Sequence, residues 1–364
     1  MEKWLRSAPF EPETEQEEIW INGTNQHKVH VTFGKPMDVL SLKSDVVQHF
    51  KKTADRIRTS RMSLFQKENV SRVEACPICK AGTKNHIEVI TVYGATYVYC
   101  DNCCHCYVSK RPSDKALEDF YANDTHYQKT YSDKHTTEAR IRGVAMPKAQ
   151  WVIRQFERLH GKKPDKILDV GAGSGHFVYA CRQLGIEATG LEPSRMGIQF
   201  AKDNLGCELL SVDFLDEWVS FKDFDVITFW GVIEHVPNPV EMLKAASRII
   251  SGRNGLVVAE VPRWNGLSTV VQKLFHDSIT RHLDPLGHIN CFTDSSLATA
   301  FALANLNITS AWYFGMDAYE LTTQLSHYLE ESSVFAKIQG FIPQLQGSFD
   351  LARMSDEIVL SGIS

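Results

Sequence analysis

The stretch that decides the fold is Ile167-Leu-Asp-Val-Gly-Ala-Gly-Ser-Gly-His-Phe177. A short apolar strand pattern leads into a turn that contains Gly171, Gly173 and Gly175, and a helical pattern starts directly after it. Glycine has no Cβ, so this turn can adopt positive φ and let a ligand approach the backbone. The first N–H groups of the helix also lack partners within the helix. The sequence therefore predicts a strand–turn–helix unit at a ligand site.

Alternating strand and helix patterns continue on the carboxyl side of this turn. Strand patterns recur in residues 187–193, 207–214, 224–232 and 255–262, with helical patterns in 194–206 and 239–250 between them. Short apolar strands that alternate with helices predict an α/β fold, a doubly wound parallel sheet covered on both faces. We expect residues 307–315 to form a late antiparallel strand, and the chain from about Glu320 onward to be helical.

Length and composition limit the class of protein. The chain has 364 residues, of which 43% are hydrophobic and 23% charged, which excludes disorder as an overall description. The net charge of −5 gives no overall basic signal for a nucleic-acid partner. Neither a secretory leader pattern nor an apolar stretch of transmembrane length is present, so we expect a cytoplasmic protein with no membrane insertion.

Pattern changes along the chain predict four regions. Residues 1–70 form an N-terminal extension of short strands and a helix, and residues 71–111 form a cysteine-rich ribbon. Residues 112–320 form the α/β domain, and residues 321–364 a C-terminal helical segment. The apolar positions of that last segment can form a homodimer contact or belong to the chain's own core.

An acidic residue follows the second strand of the α/β domain. Glu192 lies 21 residues after Gly171, in Gly190-Leu-Glu192-Pro. A carboxylate at this place can accept both hydroxyl groups of a ribose. A dinucleotide fingerprint would need a glycine at position 176, where this chain has His176.

These motifs together resemble the class I S-adenosylmethionine (SAM)-dependent methyltransferases. Besides the glycine turn and Glu192, two further stretches match: Val212-Asp213-Phe214, and Asp225-Val-Ile-Thr-Phe-Trp-Gly-Val-Ile-Glu-His-Val-Pro-Asn-Pro239. The resemblance covers roughly residues 112–320 and implies a Rossmann-like domain with SAM as cofactor. By that resemblance, ten residues shape or contact the cofactor site: Asp169, Gly171, Gly173, Gly175, Glu192, Asp213, Phe214, Trp230, Gly231 and Tyr131. Tyr127 shares the last role, with ordinary packing as the alternative for both tyrosines.

Six of the nine cysteines fall between Cys76 and Cys106, which is untypical of a secreted disulfide framework. Cys76, Cys79, Cys100 and Cys103 follow the spacing C-x2-C-x20-C-x2-C, which predicts a zinc ribbon. Four thiolates fill the coordination sphere of Zn²⁺, so the metal would be structural. The spacing leaves open whether Cys106 replaces Cys103, whether His105 joins, and what Cys104 does.

The ribbon is followed by ALEDFY at residues 116–121, an order similar to the N-terminal zinc module of many bacterial methyltransferases. Those enzymes often act on sugars, nucleotide-linked sugars or other small metabolites. The resemblance therefore implies a polar small-molecule acceptor. Two alternatives with the same fold stay open, an rRNA methyltransferase and a non-catalytic assembly protein. The basic residues between Lys43 and Arg61 favour the rRNA methyltransferase over the assembly protein.

A hydroxyl or carbon acceptor needs a general base, and histidine titrates in the appropriate range. We expect His288 to be that base, with His235 second and Glu234 in an orienting role. His282 lies in the same connection as His288. Asn290, Tyr313 and Asp317 are candidates for contact with the acceptor. An amine acceptor would need no base, so N-methylation stays open.

Overall fold

The computed structural model of the chain describes residues 3–7, 14–35, 50–65, 70–113, 116, 136–274, 281–329 and 332–364. Tyr127 and Tyr131 lie outside these residues, as does most of the segment that joins the ribbon to the α/β domain. Within the described ranges, none of the helices has both the length and the apolar character needed to cross a membrane.

The strands of the described residues divide among three sheets. In chain order they are β1 (Leu5–Ser7), β2 (Glu15–Asn22), β3 (Asn25–Phe33), β4 (Val70–Arg72), β5 (Ile87–Val92), β6 (Ala95–Cys100), β7 (His105–Val108), β8 (Lys110–Pro112), β9 (Lys166–Val170), β10 (Glu187–Leu191), β11 (Leu209–Leu210), β12 (Val226–Trp230), β13 (Leu256–Pro262), β14 (Asn290–Cys291), β15 (Asn307–Phe314) and β16 (Glu357–Ile363).

The α-helices cover both faces of the largest sheet and extend beyond it at both ends of the chain. They are α1 (Phe50–Phe65), α2 (Thr137–Arg140), α3 (Met146–His160), α4 (His176–Gln183), α5 (Arg195–Phe200), α6 (Phe214–Glu217), α7 (Pro239–Ile250), α8 (Leu267–Leu274), α9 (Asp294–Leu303), α10 (Asp317–Tyr328), α11 (Ser332–Ile338) and α12 (Ile342–Leu351). A π-helical turn, Ile141–Ala145, joins α2 to α3.

The largest sheet has ten strands in the order β1-β2-β3-β15-β16-β13-β12-β9-β10-β11. Strands β11, β10, β9, β12 and β13 are parallel to their neighbours in this series. The chain leaves β9 toward β10 and then returns to β12 on the other side, so the strand order reverses between β9 and β12. The prediction of a doubly wound α/β fold is confirmed.

The predicted sheet lacks one strand. Residues 307–314 form β15, which pairs antiparallel with β16, but β16 itself was not predicted; it inserts between β13 and β15 and runs opposite to both. The C-terminal segment is consequently not wholly helical, since it ends in β16. A seven-residue apolar run such as Glu357–Ile363 has the same pattern in a buried strand and in a buried helix turn, so periodicity could not separate them.

Side chains alternate between two hydrophobic cores along the central strands. Leu168 and Val170 pack into one core, while Ile167, from the same strand, packs into the other. Ile227 and Val226 divide in the same way on β12. Successive side chains of a strand point to opposite faces, so this division requires helices on both sides. The parallel strands are therefore buried on two faces.

The N-terminal extension joins the same sheet. The β2–β3 hairpin pairs with β15, since β3 is parallel to β15, and Trp20 and Val31 lie in one of the two cores of the sheet.

The ribbon is also packed on the domain. Its sheet, in the order β14-β7-β6-β5, includes two residues from the α/β domain in β14. Cys76, Cys100 and Tyr107 share a hydrophobic core with Leu168. The ribbon thus forms part of the wall of the domain.

Candidate functional site

A cavity of about 1120 Å³ opens at the carboxyl ends of β9, β10, β12 and β13. This edge contains the point where the strand order reverses, and open α/β sheets bind ligands there because the connecting loops diverge. Gly171, Glu192 and Gly231 follow three of these strands directly and line the cavity. The fold therefore brings the separate sequence motifs to one place.

The turn after β9 has left-handed backbone geometry at its glycines. φ is +75° at Gly171 and +55° at Gly173. A Cβ at Gly171 would lie 2.6 Å from Cγ2 of Val232, whereas one at Gly173 would meet nothing within 4 Å. The N–H groups of Gly171 and Ala172 donate to the carbonyl of Leu191 at 2.9 and 2.8 Å. The turn is thus fixed to β10, and it leaves its backbone accessible beside Gly173.

The carboxylate of Glu192 is buried and anchored by backbone donors. Oε2 accepts from the N–H of Gly173 at 2.7 Å, and Oε1 accepts from the N–H of Ser194 at 2.8 Å. Burial raises the pKa of Glu192, against these two hydrogen bonds. An ionised carboxylate has about four lone-pair sites, so each oxygen can accept a further hydrogen bond from a ligand in the cavity.

Of the other residues predicted to bind the cofactor, some line the cavity and some stabilise the elements around it. Asp169 lines the cavity and accepts a 2.7 Å hydrogen bond from Thr228, and burial raises its pKa to about 7. Asp213 also lines it, but Oδ1 caps α6 by accepting from the N–H groups of Leu215 and Asp216. Gly175 stands at the N-cap of α4 with φ +76°, outside the lining.

Phe214, Trp230 and Gly231 line the same cavity. The indole Nε1 of Trp230 is buried, and it has no hydrogen-bond partner among the described residues. A buried donor without a partner is costly, so this atom fits a ligand that supplies an acceptor. The glycine turn, the Glu192 carboxylate and this indole together suit a polar ligand such as SAM, with the ribose hydroxyls at Glu192.

Motif reasoning missed an ion pair in the cavity wall. Nζ of Lys148, on α3, lies 2.8 Å from the carboxylate of Glu260 and 4.7 Å from the ring centroid of Trp230. The available signal was Glu260 itself, a charged residue inside the otherwise apolar strand β13. Buried charges normally need a partner or a ligand. The pair therefore keeps one side of the cavity polar.

A carboxylate and three histidines form another part of the cavity lining. Nε2 of His235 lies 3.6 Å from Oε1 of Glu234, and the rings of His235 and His288 are 5.0 Å apart. Burial raises the pKa of Glu234 to about 7. The third, His282, stacks 6.0 Å from His288. The three side chains expected to take part in the chemistry thus meet in the cavity that the glycine turn lines.

Comparison with known families identifies this part of the chain. Residues 141–311 match the family model described as "Methyltransferase domain". This match covers the glycine turn, Glu192 and the Glu234–His235 pair. Residues 141–311 therefore form a methyltransferase domain, in agreement with the resemblance to the class I SAM-dependent enzymes. In this methyltransferase domain, β9 is the first strand, and the cavity is at the carboxyl edge of its sheet.

Curated relatives match this methyltransferase domain over short stretches. The chain is 33% identical over 93 residues to the ubiquinone biosynthesis O-methyltransferase of Thiobacillus denitrificans, an alignment of 23% of this chain and 39% of that protein. It is 28% identical over 131 residues to the Escherichia coli protein of the same name, covering 34% and 54%. The chain thus spans about half or less of the length of these relatives.

Methyltransferases are among the solved structures to which the chain shows partial similarity. The magnesium protoporphyrin IX methyltransferase of Synechocystis gives a TM-score of 0.44 at 12% identity, covering 69% of this chain and 99% of that one. A SAM-dependent methyltransferase from Archaeoglobus fulgidus gives 0.40 at 16% identity, covering 64% and 100%.

The four predicted metal ligands of the ribbon lie together. Sγ of Cys76 is 3.6 Å from Sγ of Cys103, Sγ of Cys79 is 3.6 Å from Sγ of Cys100, and all four atoms lie within 4.8 Å of one another. Zinc–sulfur bonds of about 2.3 Å in a tetrahedron place the sulfurs about 3.8 Å apart. The geometry suits a structural Zn²⁺.

The residues beside these ligands have other environments. Cys104 is buried with φ +65°, and Cys106 lies on β7 opposite Cys291. His105 is within hydrogen-bond distance of Asn290 and Ser296, at 3.2 and 3.3 Å. None of the three belongs to the four-sulfur group. The alternatives that the spacing left open are therefore not supported by the geometry.

Three candidates for acceptor contact do not line the cavity. Asn290 is fully buried, and its amide Nδ2 donates to the carbonyl of Val236 at 2.8 Å. The hydroxyl of Tyr313 donates to Asp294 at 3.0 Å. Asp317 accepts from the backbone N–H of Ser268 at 2.9 Å. Each polar group is satisfied inside the protein and supports the walls from behind, so the cavity geometry does not favour contact of these three residues with an acceptor.

His282 has a partner that sequence reasoning did not identify. Its Nε2 lies 2.8 Å from Oδ2 of Asp356, and both side chains are buried. Asp356 directly precedes β16, the strand that was predicted to be helical. Because that strand was not recognised, no sequence signal placed an acid beside this histidine. The pairing keeps His282 oriented at the cavity wall.

A glycine on α5 offers a test of the cofactor turn. A Cβ at Gly197 would lie 2.6 Å from the carbonyl oxygen of Gly173. We expect Gly197→Ala to displace the turn at a cost of about 1–3 kcal/mol, although alanine normally stabilises a helix. S-Adenosylhomocysteine (SAH) should then produce a smaller rise in melting temperature. The control is Gly252→Ala, since a Cβ there meets nothing within 4 Å. Equal SAH responses in the two variants would contradict this role of Gly197.

Proposed function

We propose that the chain is a SAM-dependent methyltransferase that methylates a hydroxyl oxygen of a polar small molecule, with a sugar or a nucleotide-linked sugar as the first acceptor class to test. The observation that carries the proposal is that two unlike walls share one cavity. One wall is the glycine turn with Glu192, and the other is the Glu234–His235–His288 group. A single small ligand usually occupies about 300–1,000 Å³. The cavity of about 1120 Å³ therefore has room for a cofactor and an acceptor.

SAM supplies a methyl group on a positively charged sulfur when it is bound. The residues of the chain must hold it, orient the acceptor and receive the acceptor's proton. Glu192 and the backbone beside Gly173 suit the first task. His235 suits the last, because its Nδ1 lies 2.8 Å from the carbonyl of Gly287 and must donate to it. In the neutral ring, this leaves Nε2 with a free electron pair on the side of Glu234.

The names of the curated relatives support an oxygen acceptor, since they specify O-methylation. Two features argue against the rRNA alternative. The net charge is −5, and Arg61, the last residue of the basic run, is bound to Asp284 at 2.9 Å. A polyanionic partner would need a basic surface instead. We also propose that the four ribbon cysteines hold a structural zinc ion. This ion would stabilise the part of the cavity wall that contains Glu234, His235 and His288.

The acceptor class can be tested with SAM that carries a labelled methyl group. The full chain is incubated with free sugars, nucleotide-linked sugars, phenols and structured RNA in parallel. We expect label in a hydroxyl-bearing small molecule and none in RNA. Transfer to RNA alone would contradict the proposal and favour the rRNA alternative.

The histidine wall should control turnover without controlling cofactor binding. We expect His235→Ala and His288→Ala each to lower kcat by about 10²- to 10⁴-fold, with an unchanged dissociation constant for SAH in calorimetry. The matched control is His27→Ala, a half-buried histidine on β3 that does not line the cavity. Wild-type kcat in both cavity variants would show that the acceptor's proton leaves elsewhere.

A further inference from the structure

The histidine wall has the donor set of a metal site. Glu234, His235 and His288 each offer one ligand atom, and these atoms lie within 4.8 Å of one another. Ligands on one divalent ion are typically about 2.0–2.2 Å from it, hence about 3–4 Å apart. The 3.6 Å between Nε2 of His235 and Oε1 of Glu234 falls in that range. Small side-chain rotations would bring the third ligand in.

The hydrogen bonding of His235 directs two atoms with free electron pairs, its own Nε2 and Oε1 of Glu234, toward each other. A carbonyl oxygen only accepts, so the contact with Gly287 places the ring proton on Nδ1. Nε2 then presents its free pair toward Oε1 of Glu234, which is also an acceptor. A cation between the two atoms, either a proton or a metal ion, would stabilise this contact. Metal-binding histidines commonly donate their other ring N–H to a backbone carbonyl, as His235 does.

Glu234 gives independent support. Its side chain is only 3% exposed, and Oε2 has no hydrogen-bond partner among the described residues. A buried carboxylate oxygen is costly unless it is paired or bound to a metal. The backbone around it is fixed, because the N–H of Asn290 donates to the carbonyl of Glu234 at 3.0 Å. The carboxylate is thus held in the cavity wall without a partner for its second oxygen.

We infer that Glu234, His235 and His288 bind a divalent cation, whose open coordination positions take two adjacent oxygens of the acceptor. Two histidines and one carboxylate leave such positions on one face of the ion. The acceptor class is then a vicinal diol, a catechol or a hydroxy acid. This inference rests on the proposed function and deepens it. With the cation bound, a hydroxyl on it would ionise at lower pH and lose its proton to solvent. His235 and His288 would then serve as metal ligands, and this role would take the place of the general-base role argued above.

Manganese is the suitable probe, since Mn²⁺ prefers nitrogen and oxygen ligands over the thiolates of the ribbon. The zinc-loaded full chain is titrated with Mn²⁺ in the presence of SAH, and free Mn²⁺ is followed by its electron paramagnetic resonance signal. We expect one Mn²⁺ per chain. Glu234→Gln and His235→Ala should each weaken binding by at least about tenfold, with SAH binding retained as evidence that the variants fold.

Two control variants test where Mn²⁺ binds. His27→Ala should leave Mn²⁺ affinity unchanged. Glu357→Gln should also leave it unchanged, although Glu357 belongs to a second group with His282 and Asp356 that has metal-ligand geometry. Loss of binding in Glu357→Gln with retention in His235→Ala would overturn the inference in favour of that second group. Absence of Mn²⁺ binding while SAH still binds would overturn the inference alone, whereas absence of SAH binding would count against the proposed function.

Discussion

Replacement of Glu192 by glutamine should weaken SAM and SAH binding by about 100-fold in calorimetry. The carboxylate links the glycine turn to the start of α5 through the N–H groups of Gly173 and Ser194. Glutamine replaces one oxygen with an NH2 group, so one of these donors loses its acceptor. Hydrogen bonds to charged groups contribute about 1.5–3 kcal/mol each, and the loss of one or two corresponds to that factor.

The affinity for SAM and SAH should depend on pH through the titration of the Glu192 carboxylate. Burial raises the pKa of Glu192. The protonated form accepts fewer hydrogen bonds, so cofactor affinity should fall as the pH decreases through this raised pKa. An exposed glutamate would produce that loss only at lower pH. The glutamine variant should lack this component of the pH profile.

Glu187→Gln is the matched control for Glu192→Gln. Glu187 lies on the same strand, β10, but it is exposed and makes only a surface ion pair with Lys166 at 3.5 Å. Such pairs contribute little to stability. Cofactor affinity in this control should equal that of the wild type. If Glu192→Gln also bound SAH with wild-type affinity, Glu192 could not be a cofactor ligand.

Loss of the zinc ion proposed for the ribbon should have the second large effect. Cys100→Ser should reduce the zinc content from one ion per chain to none, lower the melting temperature, and abolish transfer to the acceptor. Structural zinc sites in isolated fingers bind with about 10–16 kcal/mol, and that free energy is coupled to local folding. Cys76 and Cys100 are also fully buried in a core shared with the α/β domain, so the ribbon cannot open without exposing that core.

The expected loss of transfer follows from a short path of contacts. Strand β7 of the ribbon pairs with β14, at Tyr107 with Asn290. Asn290 then bonds through its amide to the carbonyl of Val236 at 2.8 Å and through its N–H to that of Glu234. The hydroxyl of Tyr97 also donates to the carbonyl of His288 at 3.2 Å. A disordered ribbon would therefore release the wall that holds Glu234, His235 and His288.

Cys104→Ser is the control that tests the ligand assignment. Cys104 is adjacent to Cys103 and equally buried, but it lies outside the four-sulfur group. Metal analysis by mass spectrometry should find one zinc ion in this variant. Zinc retained in Cys100→Ser but lost in Cys104→Ser would contradict the assignment.

The parts of the site that the sequence predicts are those whose chemistry is local. The glycine turn and Glu192 lie at the ends of consecutive strands, so strand pattern and spacing place them at one edge. The four ribbon cysteines are likewise paired within short segments. In both cases the residues that act together are fixed by a turn geometry that allows few side chains.

The rest depends on contacts between distant segments. Strand β16 lies between β13 and β15, and nothing within its seven residues specifies those neighbours. Asp356, the partner of His282, directly precedes this strand, so it was not predicted either. Asn290 was expected at the acceptor because of its place in the long connection, yet the ribbon and the Glu234 turn enclose it from both sides. Tertiary packing decided each of these outcomes.

A calorimetric titration of the full chain with SAH, followed by displacement with SAM, tests whether the cavity binds this cofactor. We expect saturable binding of one SAH per chain, competition by SAM, and a rise in melting temperature equivalent to about 2.7 kcal/mol at a ligand concentration 100 times the dissociation constant. Absence of both heat and thermal stabilisation at millimolar SAH would contradict the assignment of the cavity to this cofactor.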